Sequence, residues 1–276
     1  MGLSDEQMAA FQRDGFVIVD DFFTTGQLSE FTAALRRLVQ AELRKAGLDP
    51  GRYQDREFST GMAALEDAGH DYVADLYNTA HTMPEFLRLV SKHEFPELVN
   101  QILGRQSGAP LYTMTHRCRV DPPRDEVVFA DWHQEVLFSA PHSRFVLAWA
   151  PLVKDVGKGE GAMEACVGSH RMGIVKQTWS EPEGRHRQLL IDSDIIDAHQ
   201  QRTLEVRHGQ LLLFDPLLIH KSGENLSDRV RFTLIAAYHD VDNPHFRAPK
   251  TNYQFQQSMR EYYEMQMAEI DQQQPA

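Results

Sequence analysis

The feature that most restricts the fold of this 276-residue chain is a change in the period of its apolar residues near Gly108. Before that point, Leu28, Phe31, Leu35, Leu38, Val39 and Leu43 recur at three- and four-residue spacing, which places them on one face of a helix. After it, residues 110–120, 127–138 and 144–153 alternate or run apolar in strand-length pieces. A later run over 229–238 has the same character. The expected architecture is therefore a mainly β body preceded by peripheral helices.

Local signals set the boundaries of the elements. Ser4 with Gln7 and Thr24 with Gln27 have the spacing of capping boxes, in which each side chain satisfies a backbone N–H at the helix start. Asp14-Gly15 ends the first helix, and Phe16-Val-Ile-Val19 reads as an early strand. Gly47 and Pro50 end the second helix. Residues 52–68 are polar and weakly patterned and are expected to form a loop, whereas 84–102 predicts two short helices separated near Pro96. The glycine-rich stretch Gly157 to Gly161 lacks the flanking elements of a phosphate-binding loop and reads as a tight turn.

Composition narrows the function classes. With 28 Lys and Arg against 40 Asp and Glu, the formal charge is −12, which argues against a nucleic-acid backbone as partner. Two cysteines do not make a disulfide scaffold, and no apolar run reaches membrane-spanning length or resembles a signal peptide. The expectation is a cytoplasmic protein of one domain, 1–276, without membrane insertion.

Chemistry concentrates at His133, Glu135 and His220. Two imidazoles and a carboxylate can hold one face of a non-haem Fe(II) and leave the opposite positions open. His133 and Glu135 lie two apart in a stretch, 129–138, that reads as a strand, so both should project from one face while Gln134 points away. His220 closes the strand-like run 211–220. His116, Cys118 and Cys166 are rival candidates for a separate zinc site. The other histidines read as turn, surface or core residues.

The tract after His220 extends the pattern. Trp132 and His133 with an acid two residues on, then His220, Ser222, Asn225 and Arg231, resemble the phytanoyl-CoA dioxygenase family of Fe(II)- and 2-oxoglutarate-dependent oxygenases. Asp14-Gly15-Phe16, Trp149-Ala-Pro-Leu152 and the Gly161 to His170 element resemble three further family segments in the same order. The resemblance implies a double-stranded β-helix, a jelly-roll or cupin-like barrel, with His133, Glu135 and His220 as metal ligands at its mouth, the histidines coming from opposite sheets. It also implies that Arg231, assisted by Ser222, holds the distal carboxylate of 2-oxoglutarate, with Arg229 as the alternative anchor two residues upstream. The implied reaction consumes O2, converts 2-oxoglutarate to succinate and CO2, and hydroxylates an unactivated C–H bond of a small-molecule substrate. One departure is plain: Glu135 stands where the family usually has Asp, so the ligand oxygen sits one methylene farther from the backbone.

Substrate identity is not written in these motifs. Residues 52–68, 177–187 and the tract after Asp242 are natural lid material. Arg117, Arg119, Arg185 and Arg187 could receive an acidic group, which favours a small polar or acidic metabolite over a long lipid. Phe255, Met259, Tyr262, Tyr263 and Met267 predict a helix over 254–268 that docks on the barrel or on a partner subunit, leaving oligomeric state open. Two rival readings keep the barrel: a non-catalytic binding or scaffold protein, and a metal-dependent isomerase or hydrolase without 2-oxoglutarate. Arg231 and Ser222 discriminate, because neither rival has a use for an anion anchor beside the metal.

Overall fold

The computed structural model describes residues 2–123, 131–138, 143–179, 189–244 and 246. Helices α1 (Asp5–Asp14) and α2 (Thr25–Lys45) flank strand β1 (Phe16–Val19), and both helices begin with a complete capping box at Ser4 and Thr24. Gly15 ends α1 in the left-handed region, φ 89°, where a side chain would also strike His170 and Leu218. Four helices follow: α3 (Ser59–Ala68), α4 (His70–Ala80), α5 (Pro84–Val90) and α6 (Glu94–Ile102).

The β region contains β2 (Leu111–Asp121), β3 (Phe145–Pro151), β4 (Met163–Cys166), β5 (Gln177–Trp179) and β6 (Leu189–Ile191). After a short helix, α7 (Ser193–Asp197), come β7 (Gln201–Leu204), β8 (Leu211–Phe214), β9 (His220–Lys221) and β10 (Arg231–Asp240). They form an antiparallel five-stranded sheet, β1-β8-β3-β10-β2, a three-stranded sheet, β7-β4-β9, and a ribbon, β5-β6. The protein is thus sheet-rich with helices outside.

Alternation along the strands builds two cores from one sheet. Val17, Val146, Ala148, Leu211, Leu213, Phe232, Leu234 and Tyr238 pack against α2 to α6. On the other face, Phe16, Leu147, Trp149, Leu212 and Phe214 meet Met163, Ala165 and Leu204 of the smaller sheet. Tyr238 anchors the helical layer: its ring stacks on Phe95 at 4.7 Å, and its hydroxyl donates to the Val90 carbonyl at 2.6 Å. Fully buried Phe22, Phe31, Phe86 and Phe95 each stabilise this layer by roughly 1.5–3 kcal/mol.

Several elements differ from expectation. Residues 52–68 are not all loop, since the Asp55 carboxylate accepts from the Ser59 amide at 2.7 Å and α3 follows, burying Met62 and Leu65. The break between α5 and α6 falls at 91–93, and Pro96 sits inside the first turn of α6, where its missing N–H costs nothing. The expected strand over 127–138 is not one: 127–130 lie outside the described residues, His133 makes only an isolated bridge, and Glu135–Phe138 is a 3-10 helix. The run 211–220 breaks at Pro216, where the Asp215 carboxylate accepts from the Leu217 amide at 2.8 Å and the chain crosses from the larger sheet to the smaller. β10 begins at Arg231, which leaves Arg229 outside it. The Gly157 to Gly161 turn is present, with the Glu160 amide donating to the Gly157 carbonyl at 3.0 Å. The expected helix over 254–268 lies outside the described residues.

One buried histidine makes stability depend on pH. His239 on β10 is fully buried and stacks on Phe145 at 4.4 Å, and burial pulls its pKa down to about 4. The unfolded chain, with an ordinary histidine near 6.5, binds the proton first as pH falls. The stabilisation from neutral His239 is therefore complete above about pH 6.5 and is lost towards pH 4, by up to ~3 kcal/mol. Urea unfolding at pH 7 and pH 4.5 should show a smaller loss in His239→Gln than in the parent; equal losses would refute the assignment.

Candidate active site

A cavity opens between the two sheets, lined by His133, Glu135, His220, Ser222, Arg119 and Arg231 among polar residues. Leu147, Trp149, Met163, Phe214 and Ile235 form its apolar walls. The sequence-predicted triad is thus brought together, but by a different device from the one expected. His133 and His220 pair directly, the His133 amide donating to the His220 carbonyl at 2.9 Å and the His220 amide to the His133 carbonyl at 3.0 Å. They are neighbours across one backbone bridge, not residues of opposite sheets.

Glu135 reaches the same point from the first residue of the 3-10 helix, its Oε2 lying 3.5 Å from His133 Nε2. The turn that places it is clamped by Gln134. The Gln134 amide nitrogen donates to the carbonyls of Gly173 and Leu217 at 2.9 and 2.7 Å, and its oxygen accepts from the Val175 amide at 2.9 Å. Gln134, between His133 and Glu135, is fully buried and does not line the cavity.

Both imidazoles are oriented from behind. Nδ1 of His133 lies 2.6 Å from the Asp131 carbonyl, and Nδ1 of His220 lies 2.9 Å from the Leu218 carbonyl. A carbonyl accepts only, so each Nδ1 carries the proton and each Nε2 presents a lone pair. Burial, reinforced by nearby His133, holds His220 well below the ordinary histidine pKa and therefore neutral. One ligand atom from each of the three residues lies within 4.8 Å of the others. Neighbouring donors on an ion with bonds of about 2.1 Å lie roughly 3 Å apart, so a modest contraction suffices. Two neutral imidazoles and one carboxylate fit a divalent iron.

Among the described residues this is the one such cluster. Cys118 and Cys166 are buried in different apolar clusters, and burial pushes both thiols up, Cys166 to about 11. Neither is poised to be a thiolate zinc ligand.

Arg231 is buried on the cavity side of β10, opposite Asp121 of β2. Its Nε and Nη2 lie 3.1 and 3.0 Å from Asp121 Oδ2. Burial lowers its pKa and Asp121 opposes the shift. Gly161, at φ 85°, passes so close that a Cβ there would lie 2.4 Å from Arg231 Nη1. Arg229 is turned elsewhere: it donates to Glu57 at 3.1 Å, is half exposed, and does not line the cavity. Asn225 holds the turn between β9 and β10, donating to the Arg229 and Asp121 carbonyls at 2.7 and 3.3 Å.

Sequence reasoning missed Asp121 and left Arg119 among general acid-binding candidates. Part of their signal was present: Arg119 and Asp121 are two apart at the end of a strand and alternate with apolar Cys118 and Val120, so the two charges share the opposite face. Arg117 does not line the cavity, and Arg185 and Arg187 lie outside the described residues.

The profile of the phytanoyl-CoA dioxygenase family matches residues 11–233, a span that includes every residue of the cluster and its anion-facing side. The chain is 23% identical to the ectoine dioxygenase of Bordetella parapertussis over 262 residues, covering 87% of this chain and 77% of that protein. Its fold resembles that of EctD from S. alaskensis, solved with 2-oxoglutarate and 5-hydroxyectoine, at TM-score 0.58 and 19% identity over 87% of this chain and 77% of that one. It also resembles the epimerase SnoN, solved with Fe3+, alpha ketoglutarate and nogalamycin RO, at TM-score 0.59 and 17% identity over 90% and 91% of the two chains. With the family profile spanning most of its length, the chain belongs to the phytanoyl-CoA dioxygenase family.

Proposed function

We propose that this protein is an Fe(II)- and 2-oxoglutarate-dependent oxygenase that hydroxylates a C–H bond of a small polar or acidic metabolite. The observation that carries this reading is the meeting, in one cavity, of a His-x-Glu…His cluster with a buried arginine. A scaffold protein would have no reason to hold two imidazoles with Nε2 inward, and a simple metal hydrolase none to bury a guanidinium beside them. On this reading the two facing sheets are those of a double-stranded β-helix.

His133, Glu135 and His220 would hold the iron, and the Glu135 carboxylate would offset part of its charge. When bound, iron with 2-oxoglutarate and O2 supplies oxidative decarboxylation to succinate and CO2 coupled to hydroxylation of the substrate carbon. The chain's own residues do the rest. The Asp131 and Leu218 carbonyls keep Nδ1 protonated, so neither ligand nitrogen needs to lose a proton on metal binding. Arg231 and Ser222 orient the distal carboxylate. Trp149, Phe214, Leu147 and Ile235 exclude water from the space between anchor and metal, which strengthens the electrostatic contacts there.

Glu135→Ala should weaken Fe(II) binding by about 100-fold or more and abolish succinate formation, while Glu135→Asp keeps part of both. Anaerobic Fe(II) titration followed by succinate measurement checks this; wild-type behaviour of Glu135→Ala would defeat the triad. Arg231→Ala should weaken 2-oxoglutarate binding with iron affinity nearly unchanged, and an unaltered 2-oxoglutarate affinity would remove Arg231 from the anchor.

A glycine pair separates backbone strain from function. Gly159 and Gly161 both have positive φ, 80° and 85°, but open space surrounds a Cβ at Gly159 whereas one at Gly161 meets Arg231. Ala at either should cost roughly 1–2 kcal/mol of stability. Only Gly161→Ala should also weaken 2-oxoglutarate binding, as measured by calorimetry beside a melting curve; equal binding by the two variants would contradict this.

A further inference from the structure

The bridge that carries the two histidines has little backbone behind it. β9 is two residues long, and His133 meets it in an isolated antiparallel pair held by two ladder hydrogen bonds. Register is critical at such a place, because successive side chains along a strand point to opposite faces. A slip of one residue along β9 would set Ile219 or Lys221 opposite His133 and turn the His220 imidazole out of the cavity. On one side of the bridge, the Gln134 amide fastens the segment to the Leu217 carbonyl.

The fastening on the other side is made of side chains. In an antiparallel pair the residue before His133 stands opposite the residue after His220, so Trp132 faces Lys221 in the next row. The Lys221 ammonium lies over the Trp132 ring, 5.0 Å from its centroid, within the range of a cation–π contact. Lys221 is also in register with Glu164 of β4, in the ladder that pairs His220 with Ala165, and the two charged ends stand 3.5 Å apart. Trp132, Lys221 and Glu164 thus form a row directly beside that of His133, His220 and Ala165. Lys221 borders the cavity but Trp132 does not: its ring packs with Cys166, Val175, Ile191, Ile196 and Ile219 in a separate apolar cluster, which gives the ammonium a fixed seat.

We propose that Trp132 and Lys221 form a register lock for the metal site, in which Lys221 is a positioning residue that acts on the metal through the two histidines and not through its charge. The proposal rests on the reading of His133, Glu135 and His220 as metal ligands. The two possible roles of Lys221 have opposite signs. A positive charge near the site opposes a divalent cation, so its removal alone would tighten metal binding. Loss of the lock lets the bridge leave its register, and the apparent affinity falls with the fraction of chains that remain competent to bind.

The test is a titration of the full chain with Co(II), which accepts the same nitrogen and oxygen ligands, followed by its visible absorption. Lys221→Met should weaken Co(II) binding about threefold or more, a cation–π contact of ~1 kcal/mol corresponding to about fivefold. Lys221→Arg, which keeps both the charge and the ring contact, should stay within about twofold of the parent. Trp132→Leu should weaken binding in the same direction and reads the contact from its other side should Lys221→Met fail to fold, as judged by urea unfolding without metal. The double variant should bind within about twofold of the weaker single one, since each change removes the same contact. The proposal is overturned if Lys221→Met binds Co(II) more tightly than the parent or less than threefold more weakly, or if the two single losses multiply in the double variant. If the parent binds no Co(II), the metal reading itself fails, which is seen before any variant is compared.

Discussion

The site depends on one pair of backbone hydrogen bonds, those exchanged between His133 and His220. Residues 87 positions apart in sequence are placed side by side by main-chain atoms, whose geometry does not vary with rotamer. The imidazoles then stand 4.4 Å apart between ring centroids. Each ring is locked by its Nδ1 contact to a carbonyl two residues earlier in its own segment. Side-chain entropy is thus lost when the chain folds rather than when a ligand arrives. The third candidate ligand is held less directly. Glu135 depends on the turn that Gln134 clamps.

Much of this was legible in the sequence, for identifiable reasons. Capping boxes are local, so Ser4 and Thr24 marked their helices correctly; β1, β2 and β3 declared themselves by strand-length apolar runs. The three metal-ligand candidates were visible because few other uses explain that set of side chains. Their backbone was not. The His133 to Glu135 spacing suits a strand, yet the cluster forms through a single bridge and a tightening helical turn. Periodicity cannot separate the two over three residues. α3 was missed because a helix that buries only Gly61, Met62 and Leu65 carries little pattern. That Asp121 shares a strand face with Arg119 could be read from their spacing, but its pairing with Arg231, 110 residues away, leaves no mark in either segment alone.

The cavity wall combines two kinds of group. The carboxylate of Glu135 and the two imidazoles suit a cation, whereas Arg231, Arg119 and Ser222 suit an anion. A small molecule with an electron-rich chelating end and a remote carboxylate matches both. Apolar side chains of the same wall lower the local dielectric, so each charged group is felt more strongly by a ligand than it would be in water.

His220 and Arg231 belong to different sheets. His220 lies on β9 of the three-stranded sheet, and Arg231 lies on β10 of the five-stranded one. The separation of His220 from Arg231 is therefore set by the apolar layer that keeps the sheets apart, and packed sheets typically stand about 10 Å from each other. Phe16, Leu212, Ala165 and Leu204 do not line the cavity, yet their combined bulk acts as the calibration of a molecular ruler. Evolution or engineering that thins or thickens this layer would retune which length of keto acid the enzyme accepts while leaving every polar residue of the site in place.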